Sequence, residues 1–381
     1  MENILKTRFN DLFLDVRVAQ KNILDEGKPQ VNVVDAEQNK TSRQLLSVEK
    51  QALLEKDLNN KAELNLQLSV NSQLDAEVER RLLEDIQDID HLYNKVLGID
   101  EVMPTLLDAI GVRAATISKI EPLAGEMSWF YNDLMRLVNQ PKYKRVDSKG
   151  KVILVDSLRA GLSFFGLDNL IQIVTSLSFR RWLPQITDPY PKIKVRIWEE
   201  ALATALCCKQ IATISKVDPN HAFCIGMLQL CGKIVITRKY FRIFEEVQRE
   251  ALIETETYGK HEEHKALRTT RPNGEFLNIL IEKHAFNIST KLIVKMDMKR
   301  VFISQPMQEL QQNLPDSELS PMALVLKQGS AYAKYRILKQ HKLIDLPQAK
   351  EFVRSMKLPK GALELLKTTD IRTLQLTTSN N

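Results

Sequence analysis

A protein site needs nucleophiles, metal ligands or charges at defined spacings, and few sets in this chain qualify. Four cysteines are present: Cys207, Cys208, Cys224 and Cys231. A structural zinc asks for a closed tetrahedral set, usually with C-x2-4-C spacing. An adjacent pair and a wide second gap provide neither. The four thiols are therefore expected as small buried apolar groups in a reducing compartment. His261 and His264, in "KHEEHK", stand three apart, and H-E-E-H lacks the i, i+4 spacing of the H-E-x-x-H zinc motif. That stretch reads as a charged, solvated loop. His221 reads as a helix-start residue, and His91, His284 and His341 are isolated. No Ser-His-Asp or Cys-His set can be assigned from one sequence. Neither G-x-x-x-x-G-K-[ST] nor G-x-G-x-x-G occurs. No cofactor is expected.

One basic-aromatic cluster stands out. "FRRWLP", Phe179 to Pro184, combines Arg180 and Arg181 with a Trp, a composition that suits phosphate or nucleotide contacts. The same residues suit a helix end, where basic side chains meet the negative end of the dipole. The helix-end reading is preferred.

These residues must be carried by some framework, and composition points to helices. The chain has 381 residues, enough for one large domain or two, with 44% hydrophobic and 27% charged residues. Thirteen glycines and 14 prolines are too few for a turn-rich sheet protein. No apolar run reaches the ~18 residues of a membrane span. The first 20 residues lack the apolar core of a secretion signal, so the cytoplasm is the expected compartment. The net charge of +6 hides an asymmetry: residues 1–100 hold 13 Lys/Arg and 19 Asp/Glu, the remainder 41 and 29. Acidic and basic parts can pack on each other, or the basic part can bind an anionic partner. Internal packing is the preferred reading.

Hydrophobic spacing divides the chain into three. In residues 1–100, an amphipathic helix is expected over 1–26, ended by Gly27 and Pro29, with a polar connector up to about Ser42. Leu82, Ile86, Ile89, Tyr93 and Val96 form one helical stripe, stopped by Gly98. From Glu101, helix follows helix. Phe130, Leu134, Leu137 and Val138 share a face. Ser157 caps one long apolar helix, "LRAGLSFFGLDNLIQIVTSLSF", and "RRWLPQITDPYPK" follows as a loop. Ile197, Ala201, Ala205, Cys208 and Ala212 line a helix, and Phe223, Met227, Leu230, Cys231 and Ile234 line another. Residues 303–381 add two or three more helices. The fold class is all-α.

Several segments, in order, resemble the HDOD family, the HD-related output domains of bacterial signalling proteins. "LMRLVNQPKY", "VDSLRAGLSFFGLDNLIQIV", "IWEEALATA", "AFCIGMLQLCGKIVI" and "FLNILIEKHAFN" look like the family's successive helix motifs. Together they cover about Glu101 to Phe302. The resemblance implies a multi-helix HD-like core at 101–302, with an acidic helical region at 1–100 and a helical region at 303–381.

The family is related to HD-domain metal-dependent phosphohydrolases, and the expected ligands are replaced here. Glu200 stands at the position of the first His, Gln229 at the second, and Leu230 at the Asp. Two-metal hydrolysis needs imidazole and carboxylate ligands to hold the ions and generate hydroxide. A Leu donates nothing, and one carboxylate cannot hold a catalytic metal. The expectation is a vestigial site with no metal and no catalysis. Lys233 keeps the place of the Lys in H-D-x-G-K and could contact an anion. The preferred reading is a packed stem with its ammonium in water.

The implied function is a non-catalytic signalling output or scaffold module. It would act through protein partners, with homo-oligomerisation open and no membrane role. The alternative is a divergent HD-type phosphohydrolase. A nucleic-acid-binding regulator, suggested by the basic portion, ranks third because no aromatic and basic interleaving defines a groove.

Overall fold

The computed structural model describes residues 2–26, 47–112, 114–143, 145–146, 152–374 and 376. It is all-α apart from a minimal ladder pairing Arg145–Val146 with Val152–Ile153. The turn expected at "RVDSKGKVI" falls between these strands, and its residues 147–151 lie outside the described residues. So do Gly27, Pro29 and the connector at 27–46.

The first 26 residues form two helices, not one. Helix α1 spans Glu2–Leu14 and α2 spans Val16–Glu26. The break is at Asp15, whose carboxylate accepts the Arg17 N–H at 2.8 Å and so caps α2. Helix α3, Ser47–Asp85, is 39 residues long. Its C-terminal half buries Val70, Leu74, Val78 and Leu82, repeating every four residues along one face. That face packs on α12 (Cys231–Thr257) and α13 (His261–Thr269). Residues 51–65 of the N-terminal half are exposed and carry Leu53, Leu54 and Leu58 into solvent. The expected stripe continues through α4 (Ile89–His91) and a π-helical stretch, Leu92–Leu97. Gly98, in the left-handed conformation, closes it as anticipated.

Helices α5 (Val102–Ile110), α6 (Ile117–Glu126) and α7 (Ser128–Val138) lead into α8 (Leu158–Phe165) and α9 (Leu167–Trp182). Ser157 caps α8 through the Ala160 N–H. The expected single apolar helix is thus a pair bent by 111°. The bend lies at Gly166, whose φ of 68 is open to glycine and strained for other residues. Arg180, Arg181 and Trp182 form the last turn of α9, so the loop starts after them.

The centre of the molecule is α10 (Ile193–Ser215), packed between α11 (Pro219–Leu228) and α16 (Pro321–Gln340). Ile197, Ala201, Ala205, Cys208 and Ala212 are all fully buried along it. The stripe from Phe223 to Ile234 crosses a break at Gln229–Leu230, between α11 and α12. Helix α14 (Gly274–Lys295) lies so close to α12 that a Cβ on Gly232 would collide with the Ala285 carbonyl. Helices α15 (Ser304–Gln311), α17 (Leu346–Ser355) and α18 (Ala362–Thr368) complete the chain. "HEEHK" is helical, inside α13, and its loop assignment is corrected. Its glutamates occupy the first turn, where the dipole favours carboxylates. His264 is half-buried beside the Thr255 hydroxyl and the Leu252 carbonyl.

Candidate functional site

The positions singled out by the resemblance gather around the start of α12. Glu200 comes from the middle of α10, where the surrounding residues are almost all buried alanines and aliphatics. Gln229 and Leu230 form the α11–α12 break, and Lys233 lies in the first turn of α12. The break is stitched by Ser289 of α14. Its hydroxyl donates to the Gln229 carbonyl at 2.6 Å and accepts the Gly232 N–H at 2.8 Å. This satisfies backbone groups that a helix start leaves open.

Glu200 and Lys233 are directly paired. Lys233 Nζ lies 2.6 Å from Glu200 Oε2, and the two side chains are only 9% and 6% exposed. The ammonium therefore does not reach water, contrary to the preferred expectation, and its charge meets Glu200 instead of an external anion. It also sits over the Phe13 ring, 4.1 Å from the centroid, with the Phe9 ring at 5.8 Å. Both distances fall within cation–π range. Both rings belong to α1, which lies across the site as a strap.

The strap is tied at each side. Lys6 pairs with Glu282 of α14, and Asn278 donates to the Asn10 carbonyl at 3.0 Å. On the other side, Arg8 donates to the Leu343 carbonyl at 2.9 Å and to Gln348 Oε1 at 3.0 Å. Beneath the strap, a space of about 10 Å³ is lined by Phe9, Phe13, Glu199, Glu200 and Ile337 among others. That is at the lower limit for a single water. The cleft is filled by protein.

A second charged group adjoins this space and was not singled out from sequence. Arg196 lies 2.6 Å from Glu199 Oε2 and 2.8 Å from His341 Nε2, with His341 3.7 Å from Glu199. Burial would raise the Glu199 pKa, but His341 and Arg196 outweigh it and hold the carboxyl below its ordinary value. Arg196 and Glu199 have the i, i+3 spacing of a helix pair, a signal that could have marked them. His341 arrives from the end of α16 and gives no such signal. Nearby, burial pushes the Lys334 ammonium down, with Glu200 opposing the shift.

Leu230 and Gln229 are both buried. Arg180 and Arg181 are not drawn into this group. Arg180 stacks over Trp198 at 4.9 Å and Arg181 over Trp129 at 4.8 Å, with Asp133 at 3.8 Å. The four cysteines are buried and free in the core. Burial pushes the Cys207 and Cys224 thiols up to about 12. Among the described residues, no three His, Cys, Asp or Glu converge as a metal-holding group. Glu200, Gln229 and Leu230 do not fit the metal centre of an HD hydrolase: Leu230 offers no ligand atom, Gln229 is a neutral amide, and the Glu200 carboxylate is engaged by Lys233.

The described residues form an all-α bundle. Residues 100–273 match the HDOD domain family model. The match ends just before α14, short of the 302 expected from sequence. The chain is also similar to two solved structures. One is a provisionally named metal-dependent phosphohydrolase from Shewanella amazonensis SB2B, with 11% identity, a TM-score of 0.41, and coverage of 76% of this chain and 98% of that one. The other is the MmoQ response regulator from Methylococcus capsulatus str. Bath, with 18% identity, a TM-score of 0.30, and coverage of 71% and 96%. No curated protein matches the chain.

Proposed function

We propose that this protein is a non-catalytic signalling output or scaffold module, acting in the cytoplasm through contacts with other proteins. The observation that carries the reading is the engagement of Glu200 by Lys233 beneath the Phe13 ring. A hydrolase needs ligands that are free to hold metal and a path for water and substrate. Here the one carboxylate at the vestigial positions is neutralised, Leu230 contributes no donor, and α1 occupies the approach. The remaining role for such a core is to hold a shape that partners read.

The test is hydrolysis of bis-p-nitrophenyl phosphate by the purified chain, after loading with manganese, iron or magnesium and dialysis. The expected outcome is a rate equal to that of the Glu200→Gln variant, with no metal retained in stoichiometric amount. Metal surviving dialysis, together with turnover abolished by Glu200→Gln, overturns the reading and restores the phosphohydrolase.

A further inference from the structure

We propose that the groove between α17 and α18 is a docking site for an acidic, amphipathic helix of a partner protein. This goes beyond the function above and does not depend on the buried pair being inert.

The groove is about 760 Å³ in volume. Its base is α16, through Tyr332, Tyr335 and Arg336, and its walls are α17 on one side and α18 with Ile371 and Arg372 on the other. Helix α17 is amphipathic, yet none of its side chains is buried. Leu346, Ala349 and Val353 share one face at i, i+3 and i+7 and line the groove. Leu346 is 75% exposed. The start of α17 is closed by an Asp345–Gln348 capping box, and only Phe352 and Val353 rest partly buried against the core. Leu363 and Ile371 supply the opposite apolar wall. Three helices thus surround a space that a fourth would complete.

Charge selects the occupant. The rim carries Lys339, Lys350, Arg354, Lys367 and Arg372, and no carboxylate lines the groove. Residues 321–374 hold 11 Lys/Arg against 4 Asp/Glu. Some exposed cations elsewhere, such as Arg80, Arg159 and Lys265, have carboxylate partners. Among the described residues, these five make no ion pair. Asp370, the nearest acid by sequence, accepts from Thr373 Oγ1 and the Arg372 backbone N–H. Arg336 is held by the Leu366 and Thr369 carbonyls and stays structural.

Lys339 lies over the Tyr335 ring, 5.9 Å from its centroid, and Arg372 is beside Asp370. Five cations with no carboxylate within ion-pair distance around an apolar trough fit a ligand that is apolar along one face and anionic along its flanks. A nucleic acid would need polar or stacking surfaces. Of the two tyrosines here, Tyr332 is buried and Tyr335 half-buried. The concave walls likewise do not meet a flat bilayer.

The experiment is selection from a phage library of random peptides of about 16 residues, four to five helical turns, on the full chain. The K350E/R354E/K367E variant serves as counter-selection. Its substitutions are on exposed residues, and circular dichroism melting verifies its fold. Wild type should enrich peptides of net negative charge with Leu, Ile or Phe at helical spacing. The triple variant should bind them at least about tenfold more weakly, and binding should weaken with salt. Leu346→Ala, at a site open to solvent, should also weaken binding while leaving the melt unchanged. Three results overturn the proposal: no enrichment, enrichment without acidic bias, or equal binding to the triple variant. A 20-base-pair DNA that displaces the peptides and binds more tightly than they do would assign the groove to nucleic acid instead.

Discussion

A buried lysine beside a buried glutamate costs desolvation that their mutual attraction and neighbours must offset. Removing one partner leaves the other charge in the core. Lys233→Met and Glu200→Gln, made separately, should each cost about 3–5 kcal/mol in denaturant unfolding, and Glu200→Leu with Lys233→Met together should recover most of that loss. If Lys233→Met alone left stability unchanged, the pair would have access to water, and the cleft would be open. The thiols give a second reading of the same core. Cys207 and Cys224, pushed up to about 12, stay protonated near neutral pH, and the thiolate is the reactive form. Native protein should therefore show almost none of its four thiols to Ellman's reagent, and denatured protein all of them. A thiol that reacts at once in the native state would show that its part of the core opens.

At the scale of elements, periodicity located helices better than it located their ends. The α10 stripe was legible because five small or aliphatic residues repeat on one face and all are buried. The α8–α9 bend was not, because a run that is apolar all round has no polar face whose displacement would reveal a change of direction. Gly166 was the available sign. The Asp15 break in the first helix and the Gln229–Leu230 break had similar causes: side chains on both sides continue one stripe while the backbone turns. Glu200, Gln229, Leu230 and Lys233 were singled out from the motif order, but their surroundings were not legible. Lys233 meets Glu200 from another helix, and Phe9 and Phe13 come from the far end of the chain, so no local pattern announces the strap. Helix approach is also a long-range property, and Gly232 tests it. Gly232→Ala places a methyl against the Ala285 carbonyl and forces α12 away from α14, for a loss of about 1–3 kcal/mol or more, read as a lower melting temperature. Toleration of the alanine would mean that the two helices separate easily and that the Ser289 stitch is dispensable.

For the whole molecule, α1 and the C-terminal half of α3 in the acidic first hundred residues act as part of the body. Asp85 pairs with Lys239 at 2.5 Å, Glu79 with Lys283 at 3.7 Å and Glu250 with Arg81 at 2.6 Å, beside the apolar seam from Val70 to Leu82. Deleting residues 1–97 would strip the cover from α10, α12 and α14. The expected product aggregates, and a soluble, equally stable fragment starting near Ile99 would make the region an independent arm. Limited trypsin digestion should cut first at Lys56 or Lys61, where the helix is exposed on all sides, and should spare Arg81. That unsupported half of α3 has a mechanical meaning. At about 1.5 Å per residue, the stretch from Ser47 to Ala62 reaches roughly 24 Å beyond its first anchored turns. It is a strut, and a strut sets a stand-off distance: whatever grips its tip is held clear of the body. Removing residues 47–62 should shorten the largest dimension in small-angle scattering by about that 24 Å and leave the melting temperature in place. An unchanged dimension would show that the strut lies folded against the body in solution.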